Sequence, residues 1–308
     1  MIKGLYTTDS DGKHYIFTSS GFARGVFGGG STGSPSNVID YVTIATTGNA
    51  SSFGILTVSR QGCAGLSSIS RGCFVGGSSS NVIDYITISS LGNATDFGDC
   101  IAIRDYPGAL SNSTRGVYAG DSANGWSIDY ITIATAGNAS SFGSLSYGGG
   151  YMKSGLASYT RGIFAGGQGG SRINAIEYVT ITTTGNAVDF GDLTSARYGL
   201  AAVSSNVRGV IGGGATTAYV NTIDYITIAT TADASAFGEL ATARYLLAAS
   251  GSNIRGMFSG GRATGVSYVS DITYITISTL STDTTFGSLA TARLSLGGLS
   301  NAHGGLYN

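Results

Sequence analysis

Residues 24–54 read RGVFGGGSTGSPSNVIDYVTIATTGNASSFG, and residues 71–98 repeat the same order as RGCFVGGSSSNVIDYITISSLGNATDFG. Three landmarks are shared: Arg-Gly before an apolar stretch and glycines, an Ile-acid-Tyr-Ile/Val-Thr-Ile run, and a Phe-Gly pair. Arg-Gly returns at Arg24, Arg71, Arg115, Arg161, Arg208 and Arg255, a period of 44 to 47 residues. The isoleucine run begins at Ile39, Ile83, Ile128, Ile176, Ile223 and Ile272. Phe-Gly follows at Phe53, Phe97, Phe142, Phe190, Phe237 and Phe286, usually behind a Gly-Asn-Ala turn. A fixed period of this length marks a repeat architecture, in which each unit buries its apolar surface only against its neighbours.

The β-branched and aromatic residues of the tyrosine run read as a strand. A short strand of small and apolar residues precedes each Arg-Gly, for example GLAAVSS at 199–205 and LLAASGS at 246–252. Four short strands per unit (A to D), joined by Gly/Ser/Thr/Asn turns and free of helical periodicity, make one blade of an all-β propeller. Residues 1–308 read as a single propeller domain, with full repeats over about 14–293. The tail LSLGGLSNAHGGLYN (294–308) resembles strands A and B of another unit, His303-Gly304 standing where Arg-Gly belongs. With YIFTSS (15–20) as the first strand A, seven four-stranded blades are expected and six is the alternative. Residues 1–13 and 294–308 would share the seventh and remove the last free sheet edge.

Composition narrows the function. Glycine is 50 of 308 residues, and 16 Lys+Arg against 17 Asp+Glu give a net charge of -1, which excludes a nucleic-acid groove or a polybasic membrane surface. At 42 % apolar residues the chain folds, yet no run reaches the roughly 20 residues of a membrane span. The opening MIKGLYTTDSDGK lacks the apolar centre of a secretory signal.

Residues that recur in every blade are expected to build the framework. Arginines fall into two such sets, six in Arg-Gly and five after Phe-Gly (Arg60, Arg104, Arg197, Arg244, Arg293). Asp40, Asp84, Asp129, Glu177 and Asp224 recur beside the strand-C tyrosines at 41, 85, 130, 178, 225 and 274. The acid pairs Asp96/Asp99 and Asp189/Asp192 flank Phe-Gly in repeated places, which makes them poor candidates for glycosidase acids. Cys63, Cys73 and Cys100 match no ligand spacing and read as buried apolar residues. Asp9-Ser10-Asp11-Gly12 reads as a turn. His14 and His303 are the only histidines, so no metal, no cofactor and no catalytic residue is expected.

The informative contrast lies among the loops. A-B and C-D loops hardly change between units, whereas B-C and D-A loops, which leave the opposite face, vary in length and content. The B-C loops hold Trp126, Arg172, Tyr219, Arg262 and Tyr268, residue types that concentrate binding energy. These five are the candidate ligand- or partner-binding residues.

The Gly-Gly pairs at 28-29, 76-77, 166-167, 212-213 and 260-261, with Tyr41 and its equivalents and the arginine after Phe-Gly, resemble the kelch repeat. Phe-Gly stands in place of the kelch tryptophan, and Gly120-Asp121 breaks the double glycine in the third unit. The complete motif is similar to repeats in virion structural proteins of marine tailed bacteriophages, over nearly the whole chain. That resemblance implies a non-enzymatic tail, fibre or capsid-decoration propeller, assembled in the host cytoplasm and located in the virion. Other virion proteins and a host cell-surface glycan or receptor would be its partners. The alternatives are a cellular kelch-like adaptor and a carbohydrate-active propeller.

Overall fold

The computed structural model describes residues 6–8, 14–16, 23–121, 125–147 and 150–306. Six four-stranded antiparallel sheets arise from the repeats and form the blades of a β-propeller. Blades 2 to 6 are simple meanders. In blade 2, strand A is Ala64–Ser67, strand B Arg71–Val75, strand C Val82–Thr87 and strand D Thr95–Asp99. Blade 1 is assembled from both ends of the repeat array. Its strand A is Gly297–Ser300, paired with strand B (Arg24–Gly28) in the register Gly297↔Gly28 to Ser300↔Gly25, and strands C and D are Val38–Thr43 and Ser51–Ile55.

Among the described residues the ring therefore has six blades, not the expected seven. The tail supplies the missing inner strand of blade 1. Gly304–Leu306 forms a 3-10 turn where a strand B was expected, and His14–Ile16 pairs with Tyr6–Thr8 in a separate two-stranded sheet. The reason is steric. The first two residues of strand A are Ala-Gly, Gly-Ala, Ser-Gly, Ala-Ala and Ala-Ala in blades 2 to 6, because inner strands nearly touch around the axis. A β-carbon on Gly298 would strike the Ala249 carbonyl oxygen, and one on Gly155 the Ala109 carbonyl oxygen. Gly297-Gly298 meets this demand, and the bulky Tyr15-Ile16-Phe17 does not. Leu5, Tyr307 and the Asp9–Gly12 turn lie outside the described residues.

Strands B and C are both buried on their two faces, as interior strands of a blade packed between neighbours must be. In blade 1, Ile39 and Tyr41 face blade 2 beside Phe53 and Phe74, while Val42 and Ile44 face blade 6 beside Met257 and Phe286. Six apolar clusters result, one at each interface of consecutive blades, including the seam between blades 6 and 1.

The outer edges are protected by the C-D turns. Gly92 and Ala94 of blade 2 donate backbone hydrogen bonds to Phe53 and Ile55 of strand D in blade 1, at 3.0 and 2.8 Å. The Asn93 side chain accepts from the Ile55 amide at 3.2 Å, and Asn138, Asn186 and Asn49 repeat this at other interfaces. The Gly-Asn-Ala turn is thus a cap on the neighbouring edge strand. It explains the glycine of Phe-Gly, since a side chain on Gly54 would collide with the Gly92 carbonyl.

At the A-B face the axial channel is stopped by the tail. His303 is half-buried with Nε2 3.3 Å from both the Ser67 carbonyl and the Ser111 hydroxyl, and Leu306 beside it is buried. Burial pushes the His303 imidazole down from 6.5 to about 4. The unfolded chain binds the proton near pH 6.5 and the folded chain resists to about pH 4, so stability falls as pH drops through that window, by about 3 kcal/mol in all from this group. Denaturant unfolding of wild type and His303→Gln between pH 7 and 4 checks this: the variant should lose that component, and an unchanged slope would assign the acid sensitivity elsewhere.

Candidate functional site

The repeated charges are consumed inside the framework. Arg60, Arg197 and Arg293 are fully buried in the D-A connections and pair with Asp84, Asp224 and Asp40 of the following blade at 2.8, 3.0 and 2.6 Å. Arg293 also donates to the Gly29 and Val38 carbonyls, so the seam is bolted like every other interface. Blade 3 departs from the pattern. Asp121, which replaces the second glycine, is buried against Arg104 at 2.8 Å and gives that arginine a second carboxylate beside Asp129. Two other sites are compensated differently. Lys153 fills the place of the arginine between blades 3 and 4 and donates to the Gly166 carbonyl, burial pulling its amine down to about 8. Arg244 meets the Thr273 hydroxyl where other blades have an acid.

The Arg-Gly arginines form a second closed set nearer the opposite face. Each donates to the carbonyl just past strand C of the next blade: Arg24 to Ile88, Arg71 to Ile133, Arg115 to Ile181, Arg161 to Ile228, Arg208 to Ile277 and Arg255 to Ile44. Each also lies over its own strand-C tyrosine at 4.3 to 4.8 Å, and that tyrosine meets the Phe-Gly phenylalanine edge-on.

On the B-C and D-A face, Gly62, Tyr106, Met152, Gly199, Leu246 and Ser295 occupy equivalent places, all with φ between 54 and 67°. Their backbones close a circle. The amide of Gly62 bonds to the Ser295 carbonyl, Tyr106 to Gly62, Met152 to Tyr106, Gly199 to Met152, Leu246 to Gly199 and Ser295 to Leu246, at 2.7 to 3.0 Å. This collar rims an axial cavity of about 130 Å³, well below the roughly 300 Å³ at which small-molecule pockets begin.

The residues just before the collar are Gln61, Asp105, Tyr151, Tyr198, Tyr245 and Leu294. Over blades 4 to 6 they carry tyrosines, and one B-C loop adds another. Tyr219 stacks on Tyr245 at 4.5 Å and 16°, and Tyr198 meets Tyr245 edge-on at 6.2 Å. Arg262 pairs with Tyr245 across a two-residue ladder, which sets its positive charge close to that tyrosine's hydroxyl. Burial pushes that hydroxyl above the usual tyrosine range, with Arg262 pulling it back.

Of the five residues singled out from sequence, Tyr219 and Arg262 thus belong to one cluster. Arg172 is exposed in the blade 4 loop beside it. Tyr268 sits toward blade 1, near Gly33, and Trp126 is 53 % exposed on the blade 3 side. Sequence reasoning missed Tyr198 and Tyr245 because they follow the framework arginine in an Ala-Arg-Tyr run and look like framework themselves. Asp96, Asp99, Asp189 and Asp192 lie on outer strands, away from the collar. The three cysteines are buried and free, and among the described residues no group of three or more His, Cys, Asp or Glu side chains is placed to hold a metal ion. No known family model matches this sequence, and no curated protein is significantly similar to it.

The buried pairs carry a direct test. Arg293→Ala strands the Asp40 carboxylate in the seam and should cost about 3 to 5 kcal/mol in denaturant unfolding. The apolar double variant Arg293→Met/Asp40→Leu should recover most of that loss. A cost below about 1 kcal/mol for the single variant would show the seam to be open in solution.

Proposed function

We propose that this chain is a non-enzymatic binding propeller of a bacteriophage particle, offering its B-C and D-A face to a host-cell receptor or a neighbouring virion protein. One observation carries the binding reading. The repeat spends its charged side chains on blade registration, whereas Tyr198, Tyr219, Tyr245 and Arg262 gather at the surface, the rings packed against one another. Rigid tyrosines and an arginine on fixed loops are the side chains from which interfaces draw most of their energy. The virion assignment rests on the resemblance of the full repeat to phage structural proteins, and the scarcity of exposed charge suits a compact particle component.

The paired test is biochemical. Mass spectrometry of purified virions should find this chain at fixed stoichiometry, and labelled protein should adhere to host cells or to virions depleted of it. Tyr219→Ala/Arg262→Ala should weaken adhesion about tenfold or more while moving the melting temperature by no more than about 3 °C, since loop side chains contribute little to the core. Absence from virions would remove the particle assignment. Adhesion undiminished in the folded double variant would move the binding surface elsewhere.

A further inference from the structure

We propose that the face over blades 4 to 6 binds an acidic carbohydrate chain, whose sugar rings lie on Tyr198, Tyr219 and Tyr245 and whose carboxylate or sulfate groups meet Arg172 and Arg262. This rests on the binding-face reading and names its ligand class.

Backbone geometry holds the aromatic surface in place. Tyr198 and Tyr219 both bridge to Ala215, and Tyr245 is paired with Arg262, so the three rings are fixed relative to one another before any ligand arrives. All three are half-buried. Preorganised rings lower the ordering cost of binding, and their faces suit the C–H surfaces of a pyranose. The repeat then locates Arg172. In blade 5, Ala215 bridges Tyr219, which stacks on the tyrosine of the next connection, Tyr245. In blade 4, Gln168 bridges Arg172 in the same register, and the tyrosine of the next connection is Tyr198. Arg172 thus occupies the register position beside Tyr198 that Tyr219 occupies beside Tyr245.

Charge complementarity points to an acidic ligand. All five ion pairs among the described residues use buried framework arginines, and neither Arg172 nor Arg262 takes part in one. Both are exposed. Of the acids on this side, Asp105 is engaged by Ser79 on the far side of the collar and Glu239 by Asn221, which leaves Asp192 exposed at the end of strand D in blade 4 and Asp271 exposed at the start of strand C in blade 6. Two guanidiniums flanking three tyrosines match a sugar that carries anions, because a guanidinium forms paired hydrogen bonds with carboxylate or sulfate oxygens. The tyrosines and arginines stand on the loops around the collar, so the chain lies across the loops.

Calorimetric titration of the whole protein with three oligosaccharides of equal length tests this: oligogalacturonate, dextran sulfate and neutral dextran. Saturable binding of at least one acidic chain is expected, with none of the neutral one, and the preferred acid identifies the anion. Affinity should fall about tenfold as salt shortens the screening length. It should also fall about tenfold in Arg172→Gln/Arg262→Gln and in Tyr219→Ala. Equal binding of neutral dextran, no binding of either acidic chain, or affinity unchanged in these variants overturns the proposal. If no acidic chain binds while Tyr219→Ala/Arg262→Ala still loses adhesion, the carbohydrate assignment falls and the binding face stands. If adhesion is also untouched, both fall.

Discussion

Six backbone hydrogen bonds, each from one blade to the next, close on themselves around the axis and fix where every inner strand starts. Gly62, Tyr106, Met152, Gly199, Leu246 and Ser295 reach this geometry only with positive φ. Four of them are not glycine, and each such residue costs about 1 kcal/mol in that conformation. A net backbone hydrogen bond contributes about as much, so the collar yields little stability of its own. Its role is registration. Once the collar is set, strand A residues must be small enough to pass one another, and serine hydroxyls tie adjacent inner strands, as Ser111 does to the Ser67 carbonyl and Ser204 to the Ala157 carbonyl.

Outward from the axis the same cyclic logic is repeated with different chemistry. Buried Arg-Asp pairs act midway, apolar clusters fill the wedge between blades, and C-D turns cap the outer strands. A buried pair is a poor source of net stability against an apolar replacement, but it penalises misplacement heavily, because a slipped blade would leave a charge unpaired. Blade 3, with Asp121, and blade 4, with Lys153, show that the interface accepts several solutions provided the buried cation keeps an acceptor.

Much of this was legible because it is repeated. The Arg-Gly, tyrosine and Phe-Gly landmarks gave the four strands and the structural role of the arginines, and the buried cysteines agree with their sequence reading. Blade number was not legible, because GGLS serves equally as the start of a seventh unit or as strand A of the first, and His303-Gly304 imitates Arg-Gly. Only the spatial demand for small residues at the axis separates the two. The loop cluster was half legible. Tyr219 and Arg262 stood out as departures from the repeat, while Tyr198 and Tyr245 were concealed in Ala-Arg-Tyr, and the partnership of all four depends on loop pairing that no spacing encodes. The plug was invisible for a similar reason: His303 owes its environment to Ser67 and Ser111, each more than 190 positions away.

A chain of stacked repeats with free ends opens from those ends, whereas a closed ring must lose several interfaces together. Native-state hydrogen exchange of the collar amides reads this difference directly. If the six hydrogen bonds form one closed unit, the amides of Gly62, Tyr106, Met152, Gly199, Leu246 and Ser295 should exchange only through global unfolding, with one common free energy equal to that of the whole protein. Graded values that fall toward the seam between blades 6 and 1, with Ser295 and Gly62 exchanging first through local opening, would contradict a closed ring.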